Sequence, residues 1–296
     1  MIHSTPQSPS HSRLSCLHHC SRKYWHSYVE DIEREEIIDV PRLMGKVGHA
    51  GLDAYYRGSD VEAAIEKAWG EQQFYGEKDS WFTLGHMQLC IAKYIERDAG
   101  NWKPLLLTED QIQWENVLQH ECLWDANGNM IMAESRMRIN IGDGLSIVVV
   151  PDLIIEHDIG EGPFPAVIDH KFRLGWIQDK QRSEMEVGHQ LRIYALAYEA
   201  LTGMRCRDGW MNNMLGNRSS TKVGSTAKLR ELSMFGPWTH DQMQSTWDWI
   251  RNGNQEMEEI ELGLQPRFPL PLIKANFSMN PGLHCHYCDF KEECIG

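Results

Sequence analysis

The sequence predicts an α/β fold, a central mixed sheet of about four or five strands flanked by helices. Three observations predict it. Between residues 105 and 171, short apolar runs alternate with turn residues, as strands and their connections do. On both sides of this block the apolar residues recur at three-to-four spacing, the period of helices. Two of the strand-like runs, rich in Val and Ile, end on charged groups at Pro151-Asp152 and Asp169-His170-Lys171. The turn residues Gly160, Gly162, Pro163 and Pro165 between them mark a hairpin.

The 296 residues suffice for a large core, and 42% hydrophobic with 24% charged residues is an ordinary globular balance. A net charge of -13 excludes a protein that coats nucleic acid non-specifically, but not an enzyme with a local basic groove. The absence of an apolar run of about eighteen residues, and of a basic start followed by an apolar stretch, predicts a cytoplasmic protein. Eight cysteines in such a chain point to reduced thiols or metal ligands rather than disulfides.

In chain order, residues 1–11 are rich in Ser, Pro and His and are expected to be disordered, with a single domain over 12–296. A helix interrupted near Cys20 follows, in which Arg22, Lys23, Tyr24 and Trp25 either meet phosphates and bases or form a helix with core-facing aromatics. Residues 41–57 read as a helix with Leu43, Val47 and Leu52 inward and glycines that allow close backbone approach. Residues 60–100 are helical, capped by Ser59 or Asp60. An antiparallel meander follows: strands Gln111 to Trp124, Met130 to Ile141 and Leu145 to Val150, separated by Asn127-Gly128-Asn129 and Gly142-Asp143-Gly144. Glu134, within it, could face the site, but a solvent-facing strand residue is the favoured reading. After Lys171 come a loop and a helix with Leu191, Ala195, Tyr198 and Leu201 inward, stopped at Gly203. Residues 206–236 read as two strands around a polar loop whose Arg218 and Lys222 are candidates for gripping phosphates. Thr239 and Gln242 open a last long helix.

Side chains alternate along a strand, so Asp169 and Lys171 share a face and His170 points away. Hairpin pairing brings Asp152 near Asp169, and two crowded carboxylates repel unless a cation lies between them. All-oxygen ligation suits Mg²⁺ or Mn²⁺, and an adjacent lysine can stabilise charge on a phosphate oxygen or position water. The bland alternative is a pair of strand-end carboxylates salt-bridged to a lysine. Near the C-terminus, Cys285, Cys288 and Cys294 lie within ten residues, a thiolate cluster suited to Zn²⁺ or an iron-sulphur centre, either of which needs a fourth ligand.

The order PD, then DxK after an Ile/Val run, resembles the PD-(D/E)XK nuclease superfamily. Three further pieces resemble its RecB-like exonuclease branch, which includes CRISPR-adaptation and phage recombination exonucleases. They are GKVGHAGL with Gly45 and His49, QLRIYALAY with Gln190 and Tyr194, and Cys20-Ser21-Arg22-Lys23-Tyr24 ahead of the cysteine triplet, with Ser21 where the family pattern has proline. The resemblance implies a restriction-endonuclease-like sheet and a divalent ion held by His49, Asp152, Asp169 and the backbone carbonyl of His170. It implies Lys171 in catalysis and Gln190 and Tyr194 on the DNA-facing side. It also implies a [4Fe-4S] cluster on Cys20, Cys285, Cys288 and Cys294, in a subdomain built from 12–30 and 280–296. Cys16 is a rival fourth ligand, and His284 or His286 could serve in a zinc site. The implied function is metal-dependent DNA exonuclease activity on single strands or duplex ends, in recombination, repair, phage DNA processing or CRISPR adaptation with the proteins of those systems. The alternative is an inactive nucleic-acid-binding or scaffold protein of the same fold with a structural metal.

Overall fold

The computed structural model describes residues 8–30, 40–71, 83–96, 102–158, 162–174, 180–206, 208–216, 230–263 and 290. Within them lies one mixed sheet of β1 (Leu106–Leu107), β2 (Val117–Trp124), β3 (Met130–Gly142), β4 (Leu145–Val149), β5 (Leu153–Asp158), β6 (Pro163–Leu174), β7 (Asp208–Gly216) and β8 (Arg230–Phe235). The strands run in the order β1-β3-β5-β6-β7-β8, with β2 and β4 also paired to β3. The sheet exceeds the four or five strands expected because β3, 13 residues long, pairs with β2 along one edge and with β1, β5 and β4 in succession along the other. All ladders are antiparallel except β6 with β7. A parallel pair needs a crossover, and α6 (Lys180–Thr202) supplies it.

The other helices are α1 (His11–His19), α2 (Ser21–Tyr24) running into a π-helical turn (Trp25–Val29), α3 (Val40–Tyr56), α4 (Val61–Glu71), α5 (Leu84–Tyr94) and, after β8, α7 (His240–Gly263). Their starts follow local chemistry. Asp60 rather than Ser59 caps α4, its carboxylate accepting from Ala63 N at 3.1 Å. Thr239 and Gln242 form a reciprocal capping box on α7.

Alternation along β5 and β6 divides the apolar residues between two cores. Ile154 and Val167 face one, closed by Leu191, Ala195, Tyr198 and Leu201 of α6 and Ile250 of α7. Leu153, Ile155, Ala166 and Ile168 face the other, closed by Leu43, Val47 and Leu52 of α3 and Ile91 of α5. Removing such a side chain, as in Ile91→Ala, costs about 2–5 kcal/mol. The sheet is therefore a middle layer, with Asp152 just ahead of β5 and Asp169 and Lys171 midway along β6, which runs on to Leu174 rather than ending at the charged residues as the sequence suggests.

Residues 8–11, read from composition as part of a disordered terminus, are placed against the sheet. Ser10 bridges β4, Val148 N donates to Pro9 O at 2.8 Å, and His11 opens α1. The start of the chain is tied to α7 by a buried network in which Arg13 Nη2 and Tyr24 Oη both donate to Glu261 Oε1, each at 2.7 Å. No helix among the described residues is long and apolar enough to cross a membrane.

Candidate active site

The β5–β6 hairpin pairs Leu153 with Ile168, so one step further the register sets Asp152 opposite Asp169. Both are buried, Asp169 completely. The His170 backbone N–H donates to Asp152 Oδ2 at 2.6 Å and so fixes one carboxylate oxygen. Lys171 Nζ donates to Asp169 Oδ1 at 3.0 Å and to Gln190 Oε1 at 3.2 Å, and Gln190 Nε2 donates to Tyr194 Oη at 2.9 Å. One turn of α6 thus continues a polar chain begun on β6. His170 points the other way, fully buried. The second oxygen of Asp169, Oδ2, is buried with no hydrogen-bond partner.

Glu134 does not face solvent as its sequence context suggests. It lies in an irregular stretch of β3, where residues 132–135 span the gap between Arg136, paired with Glu121, and Ile131, paired with Leu123. Its φ is 45°, a left-handed conformation that a bulge imposes, and its N–H turns to Pro151 O at 3.0 Å. The neighbouring Ser135 hydroxyl accepts from Leu123 N and can donate to Ile131 O, filling the interrupted ladder. The result aims the Glu134 carboxylate at α3, 3.0 Å from His49 Nδ1. A trace of this exists in the sequence. Inward apolar residues fall on even positions at Met130 and Met132 and on odd positions at Met137 and Ile139, so extra residues must intervene.

α3 brings His49 to the hairpin because it packs tightly on β6. A Cβ at Gly48 would collide with the Phe172 ring, and one at Gly51 would touch Ile65 and Ile91 at 3.0–3.3 Å. Gly45, the glycine that the motif singles out, has nothing within 4 Å of its absent Cβ. His49 Nδ1 is 3.9 Å from Asp152 Oδ1. His49, Glu134 and Asp152 each offer one ligand atom, all within 4.8 Å of one another. Burial alone would lower the His49 pKa, but the charge of Asp152 and the hydrogen bond and charge of Glu134 outweigh it and raise it to about 9. Burial raises Asp152 well above the usual carboxylate range, Asp169 and Glu134 add to this, and His49 and Lys171 oppose it. Burial, with the charges of Asp152 and Asp169, also keeps the Tyr194 hydroxyl protonated far above neutral pH.

A family model for the PD-(D/E)XK nuclease superfamily matches residues 8–295. The chain belongs to the PD-(D/E)XK nuclease superfamily. No curated protein matches it. Nucleases of this superfamily typically use Mg²⁺ or Mn²⁺, and the donors present fit such an ion. They combine carboxylate oxygens and one imidazole nitrogen, with an orphaned Asp169 oxygen beside them.

The structure of this PD-(D/E)XK protein joins Asp169, Lys171, Gln190 and Tyr194 in one hydrogen-bonded chain and groups His49 and Asp152 with Glu134. Other residues singled out in the sequence lie elsewhere. Tyr24 and Trp25 are core residues rather than base-stacking groups, and Arg22 and Lys23 are half-buried on α2. Cys20 is buried at the end of α1, and Cys16 is half-buried. Cys285, Cys288 and Cys294, with Arg218, Lys222, His284 and His286, lie outside the described residues. Phe290, between the second and third of these cysteines, is described. It is buried and stacks on His26, with ring centroids 5.2 Å apart and planes at 13°.

Proposed function

We propose that this protein is a Mg²⁺- or Mn²⁺-dependent deoxyribonuclease of the RecB-like type, degrading DNA from single-stranded or duplex ends. The observation that carries this reading is the meeting of His49, Glu134 and Asp152 beside the unpartnered Asp169 oxygen and the Asp169–Lys171 pair. Buried carboxylates gathered in this way repel one another unless a cation offsets them. His49, Glu134, Asp152 and Asp169 would hold the ion, with the His170 backbone carbonyl as a further donor. When bound, the ion would offset charge on the phosphate and lower the pKa of water.

The chain's own groups do the rest. Lys171, held between Asp169 and Gln190, presents its ammonium to a phosphate oxygen and orients the attacking water. Tyr194 keeps its proton, so it acts as a hydrogen-bonding group that steadies Gln190 and not as a base. The water oxygen loses a proton to solvent as it bonds to phosphorus, the ester P–O bond breaks, and the departing oxygen takes up a proton, leaving a phosphate monoester and a hydroxyl. Recombination, repair and phage DNA processing are settings in which such an activity serves.

Support for a [4Fe-4S] cluster on Cys20, Cys285, Cys288 and Cys294 comes from the stacking of Phe290 on His26. It sets Phe290 against the π-helical turn six residues after Cys20. Zn²⁺ is the alternative occupant of four thiolates. Iron analysis and a brown visible absorption lost in Cys20→Ser support the cluster; zinc without iron rejects it.

The nuclease reading is tested by incubating end-labelled single- and double-stranded DNA with the full chain and Mg²⁺ or Mn²⁺, with and without chelator. Chelator-sensitive release of short labelled products from one end is the expected result. Internal cuts alone would reject the exonuclease assignment, and intact DNA under every condition would reject the nuclease.

A further inference from the structure

Behind the candidate site, on the opposite face of β6, a second polar chain is buried in the apolar layer between the sheet and α3 and α5. His170 Nδ1 is 3.0 Å from Asn212 Nδ2 on β7, the position it pairs with in the parallel ladder. Its Nε2 is 3.4 Å from Tyr94 Oη on α5, whose ring meets the imidazole edge-on at 5.0 Å. Tyr94 Oη is 2.8 Å from Tyr56 Oη on α3. Each ring nitrogen of His170 thus has a hydrogen-bond partner, one on β7 and one on α5.

These groups are costly to bury among Leu153, Ile168, Ile91 and Val47, which would pack with apolar residues at less penalty. Their positions suggest a purpose. Tyr56 lies seven residues, two turns, after His49 on α3 and therefore on the same side of the helix. His170 is flanked by Asp169 and Lys171, and its own N–H holds Asp152. The chain thus ties the helix bearing one donor to the strand bearing or holding two others. We propose that Tyr56, Tyr94 and His170 are positioning residues that set the distance between His49 and the Asp152–Asp169 pair, and so tune the affinity for the divalent ion. This inference rests on reading the site as a metal centre.

The test titrates the metal-free full chain with Mn²⁺, following free ion by electron paramagnetic resonance, and records thermal unfolding of each variant alongside. Wild type, Asp152→Asn, Tyr94→Phe, Tyr56→Phe, the double Tyr variant and Ile147→Val are compared; Ile147 is a buried β4 residue of the other core. The expected result is that Asp152→Asn abolishes binding and Tyr94→Phe weakens it about tenfold, the scale of removing a partner behind a ligand. Ile147→Val keeps wild-type affinity despite its own loss of stability. The double Tyr variant binds no more weakly than Tyr94→Phe, because both hydroxyls belong to one chain. Wild-type affinity in both single Tyr variants would overturn the positioning role while leaving the metal site standing. If Tyr94→Phe does not fold, Tyr56→Phe decides. A wild type with no Mn²⁺ binding sensitive to Asp152→Asn would remove the metal reading and this inference together.

Discussion

Glu134 holds a left-handed backbone conformation in the middle of a strand, a strain of about 1–3 kcal/mol for a residue with a side chain. The surrounding ladder sustains it at the point where the carboxylate reaches His49. Glu134→Gly should relieve the strain and remove the carboxylate together. Its midpoint in urea should equal or exceed wild type while nuclease activity falls at least ~10²-fold; a stable variant with full activity would remove Glu134 from the site. Asp169 and Lys171 were legible from strand alternation, which requires only local geometry. Glu134 was legible only as the less favoured of two readings, because a bulge breaks that alternation and only the shift in apolar phase betrays it.

The same residues set the pH response. In the metal-free protein His49 is raised from 6.5 to about 9, and Asp152 is raised from 3.8. For both, the stabilisation from proton binding is full below the unfolded value and is lost as pH rises through the folded one. An ion must displace these protons, so its binding strengthens as they leave. Mn²⁺ should therefore raise the melting temperature more at about pH 8.5 than at about pH 6.5. An equal or smaller rise at the higher pH in differential scanning calorimetry would contradict this.

At the scale of elements, the glycines of α3 separate packing from motif. The sequence pattern points to Gly45, whereas the tight approach to β6 occurs at Gly48, under Phe172. Gly48→Ala should displace Phe172 or tilt α3, lowering both the melting temperature and the Mn²⁺ affinity through the neighbouring His49. Gly45→Ala, with open space around it and a better helix former in place, should gain up to about 1 kcal/mol and keep activity. Calorimetry and Mn²⁺ titration of the pair check this, and equal behaviour of the two variants would refute it. Helical periodicity revealed α3 and its inward Leu43, Val47 and Leu52, but which glycine meets a distant ring depends on the docking angle, and one helix's spacing does not carry that.

At the scale of the molecule, the two cores lie on opposite faces of one sheet, and the charged residues gather where α3, β3, the β5–β6 hairpin and α6 converge. Most helical and strand segments were legible from the sequence, but the strand read from Gln111 begins only at Val117, after 3₁₀ turns at Glu109–Gln111 and Trp114–Asn116. The size of the sheet and the parallel β6–β7 pair were not, because pairing across the 23-residue α6 is a long-range choice that local periodicity does not record. Nor did composition disclose that Ser8–Ser10 line the edge of β4, since a bridge through Pro9 O asks little of the side chains. Arg13, Tyr24 and Glu261, with His26 on Phe290, join the first helices to α7 and to Phe290.

The central claim, that Asp169 and Lys171 belong to a metal-dependent nuclease centre, is tested most directly by comparing wild type and Lys171→Ala on end-labelled DNA with Mg²⁺. Lys171 is only half-buried and Asp169 is held within the paired length of β6, so the variant should fold as wild type does. The wild type should degrade the DNA, and Lys171→Ala should be slower by ~10²-fold or more. A folded Lys171→Ala variant that degrades DNA at the wild-type rate would contradict the claim.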